Sequence, residues 1–477
     1  MQEVLPELKL ELAGGRFVWS ESIPAKVRLT NSTVKPILIM DFDLANNPLT
    51  VNAVSGNGAR LRGTLRSPLN RDGETTLPFR SGAKKRLGTG EFLEKEIDLI
   101  NLLRELPEGT YKVRASYWLG GINYARSNIV MVEIVQAQPE FASTLQDYSR
   151  NLMLPIRTCW VNQDGKDRFL YLMESSNNNP ISTISNMRIA TLGNTEMPSP
   201  SLQSVLGQGS SHVLLQGGGY LRVIEVIGVK ATECFRESFE EKLLLPAMTT
   251  EDGELRFLSC SPRDEISVTL NLLPHAGGLL RQTLFSLDGT IERHAVGFDD
   301  DCNPHLFFSS GRNVRRAKIS IEKGRGEAEV SMVASFEKQV LDLHAYNDWS
   351  GNDGVQGMAI GCTLQEDGEI GSFLIDSENG KHISHTYIPL EGRRLEIMQV
   401  ALDYNHVPYF LFRDENNSIL FRCADSGFIL IEEEGAEIGY PTLLVASKYS
   451  RRYGIYIRYI SGGRFLNRLL KEVIPDV

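Results

Sequence analysis

The 477-residue sequence lacks the signals by which most functional classes are recognised. It has no run of about 18 apolar residues, which removes a membrane-spanning helix from the expectations. It has no GxSxG nucleophile elbow, no HExxH pair and no GxxxxGK[ST] phosphate loop. The motifs of serine hydrolases, zinc peptidases and P-loop nucleotidases are therefore missing, and no activity follows from the sequence.

Cysteine and histidine are scarce and unevenly placed. The chain has six cysteines, none before Cys159, and eight histidines, none before His212. No CxxC or Cys/His ligand spacing occurs, so we expect no metal and no other cofactor. The N-terminus carries no basic segment followed by an apolar stretch. We therefore expect reduced thiols and a cytoplasmic location, with secretion or a place in a virion left open.

The charge changes sign along the chain. Residues 1–136 hold 18 Lys+Arg against 15 Asp+Glu, and the remainder holds 32 against 45, a net charge of −13. The boundary coincides with a short polar stretch that contains proline, Val135 to Phe141. Since 477 residues exceed one ordinary core, we predict a domain over 1–136, a linker over 137–142 and a second domain over 143–477.

Alternating apolar and polar residues indicate that the first domain is all-β. Seven short segments have the period of two that is typical of strands with one buried face, and they suggest an immunoglobulin-like β-sandwich. One segment differs, because Asp98 to Leu106 has helical spacing with Asp98 as a candidate N-cap. The predicted strands are 8–12, 27–30, 36–42, 49–54, 93–97, 111–115 and 130–134.

The second domain contains an internal repeat. Val296–Phe308 aligns without a gap on Val400–Phe412, 104 residues later, and other strand–turn–strand units have a similar pattern. Repeats of about 40 to 50 residues built from short strands are typical of β-propellers. We predict a propeller of about seven blades, with six or eight left open because one interval is 64 residues long. The seven units are anchored near Gly165, Gly209, Gly253, Pro304, Gly368, Pro408 and Gly454.

One turn of this repeat concentrates Asp299, Asp300, Asp301, Cys302 and His305. Three carboxylates beside an imidazole could hold a cation or serve as an acid/base site. However, Asp299 recurs as Asp403 in the aligned unit, and Asp side chains commonly cap their own turns. We therefore interpret Asp299 as turn architecture and predict no metal site there.

A basic segment in the first domain is the one surface feature that predicts a contact. Residues 60–86 hold eight Lys+Arg against two acids and are rich in Gly, Ser and Pro, as in a loop. Flexible basic loops attract acidic partners, and nucleic acid is less favoured because Phe79 is the only aromatic residue among them. The candidate partner-binding residues are Arg60, Arg62, Arg80, Lys84, Lys85 and Arg86.

Two classes of function remain. The favoured one is a non-catalytic interaction protein, with the propeller as a platform and the sandwich as a docking domain, inside a larger assembly or against another copy. The alternative is a propeller enzyme acting on carbohydrate, or a carbohydrate-binding or virion attachment protein. Non-repeating polar residues clustered at one mouth of the channel would favour the alternative, whereas the same residues spread over the rim would favour the interaction protein.

Overall fold

A computed structural model gives the structure of the protein. The chain forms two compact units, Met1–Gln138 with Ser185–Arg188, and Pro139–Ile184 with Ile189–Val477. The residues described are 5–18, 23–40, 49–56, 58–64, 84–99, 103, 106, 108–120, 123–135, 139–145, 155–164, 167–176, 187–193, 201–207, 211–227, 230–261, 265–275, 277–288, 290–299, 301–346, 358–366, 368–403, 407–431, 438–446, 454–461 and 464–472.

The described part of the first unit is built of strands, as predicted, and each of the seven predicted strands overlaps an observed one. The strands are β1 (Glu7–Leu12), β2 (Arg16–Val18), β3 (Pro24–Thr30), β4 (Ile37–Met40), β5 (Leu49–Ser55), β6 (Arg60–Thr64), β7 (Lys84–Leu87), β8 (Phe92–Asp98), β9 (Gly109–Gly120), β10 (Asn123–Arg126) and β11 (Val130–Val135).

These strands form three sheets. One has the order β1-β3-β8, and a larger one has the order β2-β11-β9-β5-β6, with β10 also paired to β9. The third is the two-stranded sheet β4-β7. Alternate residues of both larger sheets enter one shared core, including Leu10 and Val27 from the first and Val51 and Val113 from the second. The period-two pattern of the sequence therefore follows directly from this packing.

The helix predicted over Asp98–Leu106 stays a prediction. Among positions 99–106, the structure describes Leu99, Leu103 and Leu106, and all three are buried, at the spacing of one helix face. The carboxylate of Asp98, the last residue of β8, accepts a hydrogen bond from the Ile23 amide at 2.9 Å. This bond ties the end of β8 to the start of β3.

The second unit is a series of mainly antiparallel sheets, each formed mostly by strands that follow one another in the chain. In the described residues there are seven. Their strands are β12 (Pro139–Leu145), β13 (Pro155–Asp164), β14 (Asp167–Ser176) and β15 (Met187–Gly193) in sheet 1; β16 (Ser201–Ser204), β18 (Ser211–Gly217), β19 (Tyr220–Ile227) and β20 (Lys230–Ser238) in sheet 2; β17 (Leu206–Gly207), β21 (Lys242–Thr249), β22 (Leu255–Cys260), β23 (Glu265–Leu273) and β24 (Leu280–Asp288) in sheet 3; β25 (Arg293–Phe298), β26 (Pro304–Ser310), β27 (Asn313–Glu322) and β28 (Arg325–Ser335) in sheet 4; β29 (Val340–Tyr346), β30 (Ala359–Glu366), β31 (Glu369–Asp376) and β32 (His382–Pro389) in sheet 5; β33 (Leu395–Leu402), β34 (Pro408–Asp414), β35 (Ile419–Cys423) and β36 (Ile429–Ile431) in sheet 6; and β37 (Gly439–Val445), β38 (Gly454–Ser461) and β39 (Arg464–Glu472) in sheet 7.

The sheets form a ring. The first strand of each sheet contacts the first strand of the next, through β12, β16, β21, β25, β29, β33 and β37, and β37 contacts β12. The closing contact is also polar, because Arg458 of β38 donates to the Thr158 hydroxyl of β13 at 2.9 Å and the Tyr440 hydroxyl donates to the Glu140 carbonyl. A closed ring of successive antiparallel sheets is the arrangement of a β-propeller.

Burial explains why the sheets stack. The second strands are largely buried, as in β26 and β34. Each faces a neighbouring sheet on either side, so that core clusters lie between sheets; one joins Leu258 and Leu270 of sheet 3 to Leu306 and Phe308 of sheet 4. A single sheet has two such apolar faces and can bury them only between neighbours.

Two details of the sequence-based prediction are wrong. The predicted linker 137–142 overlaps β12, which begins at Pro139, because residues 141 and 142 pair with Val161 and Trp160. The anchors of the repeat also mix two kinds of turn. The turn at Pro304 follows a first strand and the one at Gly368 follows a second strand, so the 64-residue interval compares unlike positions. The described anchors Gly253, Pro304, Gly368, Pro408 and Gly454 each lie at a strand or turn of a different sheet, and Gly165 and Gly209 lie outside the described residues.

Candidate functional site

The predicted contact residues do not form one loop. Arg60 and Arg62 lie in β6, and Lys84, Lys85 and Arg86 lie in β7. Arg80 lies outside the described residues, as does the rest of 65–83. The ends of the basic segment are therefore strands, where a loop was expected, because β6 pairs with β5 and β7 pairs with β4. The two groups of basic residues belong to different sheets.

Strand pairing brings new residues beside Arg60 and Arg62. In the register of the large sheet, Arg60 is opposite Val54 and Val54 is opposite Lys112, while Arg62 is opposite Asn52 and Asn52 is opposite Arg114. Arg126 follows on β10, opposite Ser116. These positions alternate with the buried residues of the core and so share the outward face of the sheet.

We call this surface the basic face. It is defined by Arg60, Arg62, Lys112, Arg114, Arg126, Trp118, Tyr124 and Met131. Tyr124 is directly opposite Trp118, and their exposed fractions are 42% and 39%. Met131 is opposite Lys112 and is half exposed. The face thus combines five cationic positions with an aromatic pair and one flexible apolar side chain.

The cations of the basic face have few internal partners. Within the described residues no ion pair is formed by Lys112, Arg114 or Arg126, and the buried Nε of Arg114 has no hydrogen-bond acceptor. Glu133, the nearby acid on the same side of β11, lies 3.7 Å from Arg16, which offsets its charge. The face therefore has a net positive charge available to a partner.

Sequence reasoning missed Lys112, Arg114, Arg126, Trp118 and Tyr124 as part of this surface. The signal was present, because the run from Tyr111 to Trp118 alternates strictly and places Lys112, Arg114, Ser116 and Trp118 on one side of β9. The sequence does not show which strands are neighbours in a sheet. The proximity of β9 to β6 could therefore not be predicted from it.

The second basic group has a different setting. Lys85 and Arg86 are exposed, and Arg86 is opposite Leu38, whose exposed fraction is 64%. This small sheet therefore presents cations beside an exposed aliphatic side chain, with no aromatic residue at its described positions. It is therefore positively charged like the basic face but lacks the aromatic pair of that face.

The aspartate turn is architecture, as predicted. Asp299 accepts hydrogen bonds from the amides of Asp301 at 3.1 Å and Asn303 at 2.8 Å. Arg256 of the neighbouring sheet donates to the carbonyl oxygens of Asp301 and Cys302. Asp300 lies outside the described residues.

The aligned turn of sheet 6 is built in the same way. Asp403 accepts from the Val407 amide at 3.0 Å, four residues on, and from the Tyr409 hydroxyl at 2.8 Å. His305 occupies the position of Tyr409, but its Nε2 is 3.6 Å from the Asp299 carboxylate, and neither ring nitrogen has a hydrogen-bond partner in the described residues. His305 is thus buried near Asp299, but the two are too far apart for the hydrogen bond that Tyr409 makes to Asp403.

A second polar cluster lies at the centre of the ring. Lys242, His294 and the pair Asp342–His344 lie on β21, β25 and β29, the adjacent first strands of sheets 3, 4 and 5. The Asp342 carboxylate is 2.7 Å from His344 Nε2. We call these four residues the inner cluster. The sequence did not single them out because each lies about 50 residues from the next.

The histidines of the inner cluster have opposite electrostatic surroundings. Burial and the charge of Lys242 lower the pKa of His294 to about 4, so this ring is neutral near pH 7. Burial also opposes the charged form of His344, but Asp342 outweighs it and raises the pKa of His344. The pKa of Asp342 is lowered because His344 and the Leu343 amide outweigh the effect of burial. His294 is thus neutral near pH 7, whereas Asp342 favours the charged form of His344.

All six cysteines are free, and burial raises the pKa of Cys362, which keeps its thiol protonated. Among the described residues, no group of three His, Cys, Asp or Glu side chains is arranged to hold a metal ion. No helix in that part of the chain is long and apolar enough to cross a membrane.

Neither a protein-family model nor a curated protein sequence matches this chain. Its structure is similar to that of Hsv2 from Kluyveromyces lactis, with 9% identity and a TM-score of 0.40, over 69% of this chain and 91% of the other. It is also similar to BBS1N in complex with ARL6DN, with 10% identity and a TM-score of 0.36, over 66% and 88%. YCF48 bound to D1 peptide matches with 9% identity and a TM-score of 0.36, over 69% and 97%. Because all three TM-scores are below 0.5, no conclusion about this chain rests on them.

Proposed function

We propose that the chain is a non-catalytic interaction protein and a component of a larger protein assembly, in which the propeller is a rigid platform and the first unit is a docking domain. The observation that carries this proposal is the basic face, where five cationic positions and an aromatic pair share one outward sheet surface. Surfaces rich in Arg, Trp and Tyr are the ones that most often provide binding energy between proteins.

The finer architecture is part of the proposal. An immunoglobulin-like sandwich for the first unit is supported by the orders β1-β3-β8 and β11-β9-β5-β6, in which each sheet combines strands distant in sequence. A count of seven blades is supported because the described residues of the second unit form seven sheets and the sequence contains seven predicted repeat units. The proposed domains are 1–136 and 143–477, and β12 begins at Pro139, within the predicted linker between them. The proposed location is the cytoplasm.

The proposed partner is an acidic protein surface, including that of another copy of this chain. The charge balance of −13 outside residues 1–136 makes a second copy a suitable candidate. Nucleic acid stays the less favoured partner. The contact residues proposed are Arg60, Arg62, Arg80, Lys84, Lys85 and Arg86, joined by Lys112, Arg114 and Arg126.

Binding to poly-L-glutamate tests this proposal with a defined acidic probe. The full chain should bind immobilised poly-L-glutamate at 50 mM salt and lose most of that binding at 500 mM, because exposed charges are screened over about 8 Å near physiological ionic strength. A variant with Lys112, Arg114 and Arg126 all changed to Ser should bind more weakly at low salt. Equal binding by both forms, or no binding by either, would contradict the proposal.

A propeller enzyme is the second candidate, and the inner cluster is the observation that favours it. Two imidazoles and a carboxylate on adjacent first strands are the types of group used in acid–base catalysis. The test is hydrolysis of a panel of chromogenic glycosides by the full chain, by H294Q and by D342N. Turnover that both substitutions abolish would replace the interaction proposal with this one, whereas turnover that both variants keep would exclude the inner cluster as its source.

A further inference from the structure

The outward side of β9 presents a straight line of four side chains. Lys112, Arg114, Ser116 and Trp118 are alternate residues of one strand, so their spacing is about 6.8 Å. The line begins with two cations and ends with an aromatic ring. An extended peptide has the same spacing between alternate side chains and can therefore lie along this line in register.

The aromatic end of the line is a candidate anchor. Trp118 and Tyr124 are a directly opposed pair on the hairpin of β9 and β10, and both rings are partly exposed. Partly exposed aromatic pairs of this kind are costly to leave in water and are frequent binding hot spots. At the cationic end, the buried Nε of Arg114 lacks a hydrogen-bond acceptor among the described residues, and a carboxylate of a partner would supply one.

We propose that the β9 line binds an extended acidic segment of a partner protein. The segment carries Asp or Glu at two alternate positions, over Lys112 and Arg114, and an aromatic or large aliphatic residue four positions beyond the second acid, over Trp118 and Tyr124. Charge complementarity supports this occupant, since the cations of the basic face outnumber its acids. This inference rests on the proposed function and specifies the partner's contact motif.

The arrangement favours a peptide over a single-stranded nucleic acid. Nucleic-acid surfaces alternate phosphate contacts with aromatic rings on which successive bases stack. On the β9 line the rings lie together at one end and none lies between the cations. Val54 and Met131 lie beside Lys112, and Asn52 lies beside Arg114. Thr50 and Arg126 lie beside Ser116, so the flanks offer both apolar and polar contacts to a peptide.

Three short peptides of equal composition provide the test. The probe contains Glu-Ser-Glu-Ser-Ser-Ser-Phe, and a second probe has the reverse order, because either chain direction matches the line. The control contains Glu-Ser-Ser-Glu-Phe-Ser-Ser, which places its two acids on opposite sides of an extended chain. Binding to the full chain is measured by thermophoresis, and we expect one ordered probe to bind about tenfold more tightly than the control.

Two matched variants locate the site. K112S/R114S should remove the preference for the ordered probe, whereas K323S/R325S removes the same charge from two exposed positions at the β27–β28 turn and should retain it. W118A should weaken binding of the ordered probe without altering the salt dependence of that binding, because the substitution removes apolar contact and no charge. Circular dichroism melting of each variant distinguishes a lost contact from a lost fold, and Y124S offers a second anchor variant if W118A does not fold.

The outcomes separate this inference from the proposed function. If poly-L-glutamate binds through Lys112 and Arg114 but the ordered and control peptides bind alike, the motif is wrong and the acidic partner stands. If poly-L-glutamate does not bind, the proposed function itself fails. If 15-residue oligothymidylate binds more tightly than the ordered peptide and loses affinity in W118A, the ligand is a nucleic acid and the inference is overturned.

Discussion

The inner cluster makes a sharp prediction about stability and pH. His294 has a pKa lowered from 6.5 to about 4 by burial and by Lys242. Between those two pH values the unfolded chain takes up a proton at this residue and the folded chain does not, so folding becomes less favourable as the pH falls. At pH 4.5 the loss from this one group is about 2.5 kcal/mol, at 1.36 kcal/mol for each pKa unit.

The substitution H294Q removes the proton uptake and should therefore remove this loss. Relative to the unchanged protein, we expect H294Q to gain up to about 2.5 kcal/mol in free energy of unfolding between pH 7.5 and pH 4.5. Urea unfolding at four pH values in this range measures the difference.

H344Q is the matched control for this prediction. The pKa of His344 is raised, so this residue stabilises the fold below pH 6.5 and the stabilisation disappears as the pH rises through its folded pKa. The two variants should therefore show pH dependences of opposite sign. A difference between H294Q and the unchanged protein that stays constant with pH would refute the reasoning.

Three further predictions concern the ring. H305Y should supply Asp299 with the hydroxyl bond that Tyr409 gives Asp403 and should raise the free energy of unfolding by about 1 kcal/mol in urea titrations; a loss as large as that of H305A would contradict this. G326A should destabilise by about 1 to 3 kcal/mol, because the new Cβ would lie 2.6 Å from a Leu270 methyl group, whereas G278A, with open space around it, should be neutral by the same measurement. The melting temperature should be unchanged by EDTA and by D301N, and a calcium-dependent rise that D301N abolishes would restore a cation to the aspartate turn.

The sequence predicted what depends on local periodicity. Alternation located the strands of the first unit, and the repeat of Asp299 at Asp403 identified a turn cap whose hydrogen bonds the structure reproduces. Both features are properties of short segments, and a short segment carries its own signal.

The parts that were missed depend on which strands are neighbours. The basic face joins Arg60 to Lys112 through β5, and no pattern within either strand reveals that pairing. The predicted linker failed for a related reason, because residues 139–142 look like a polar connection until β13 supplies their hydrogen-bond partners. The inner cluster likewise requires three first strands to meet at the axis.

The closure of the ring is tested most directly by a double-mutant cycle across sheets 1 and 7. Arg458 is buried, with an exposed fraction of 1%, and donates to the Thr158 hydroxyl across 300 residues of chain. The free energies of unfolding of T158V, R458M and the double variant should reveal a coupling of about 1 to 3 kcal/mol. Additivity to within about 0.5 kcal/mol would mean that the two side chains do not meet and would contradict a closed ring.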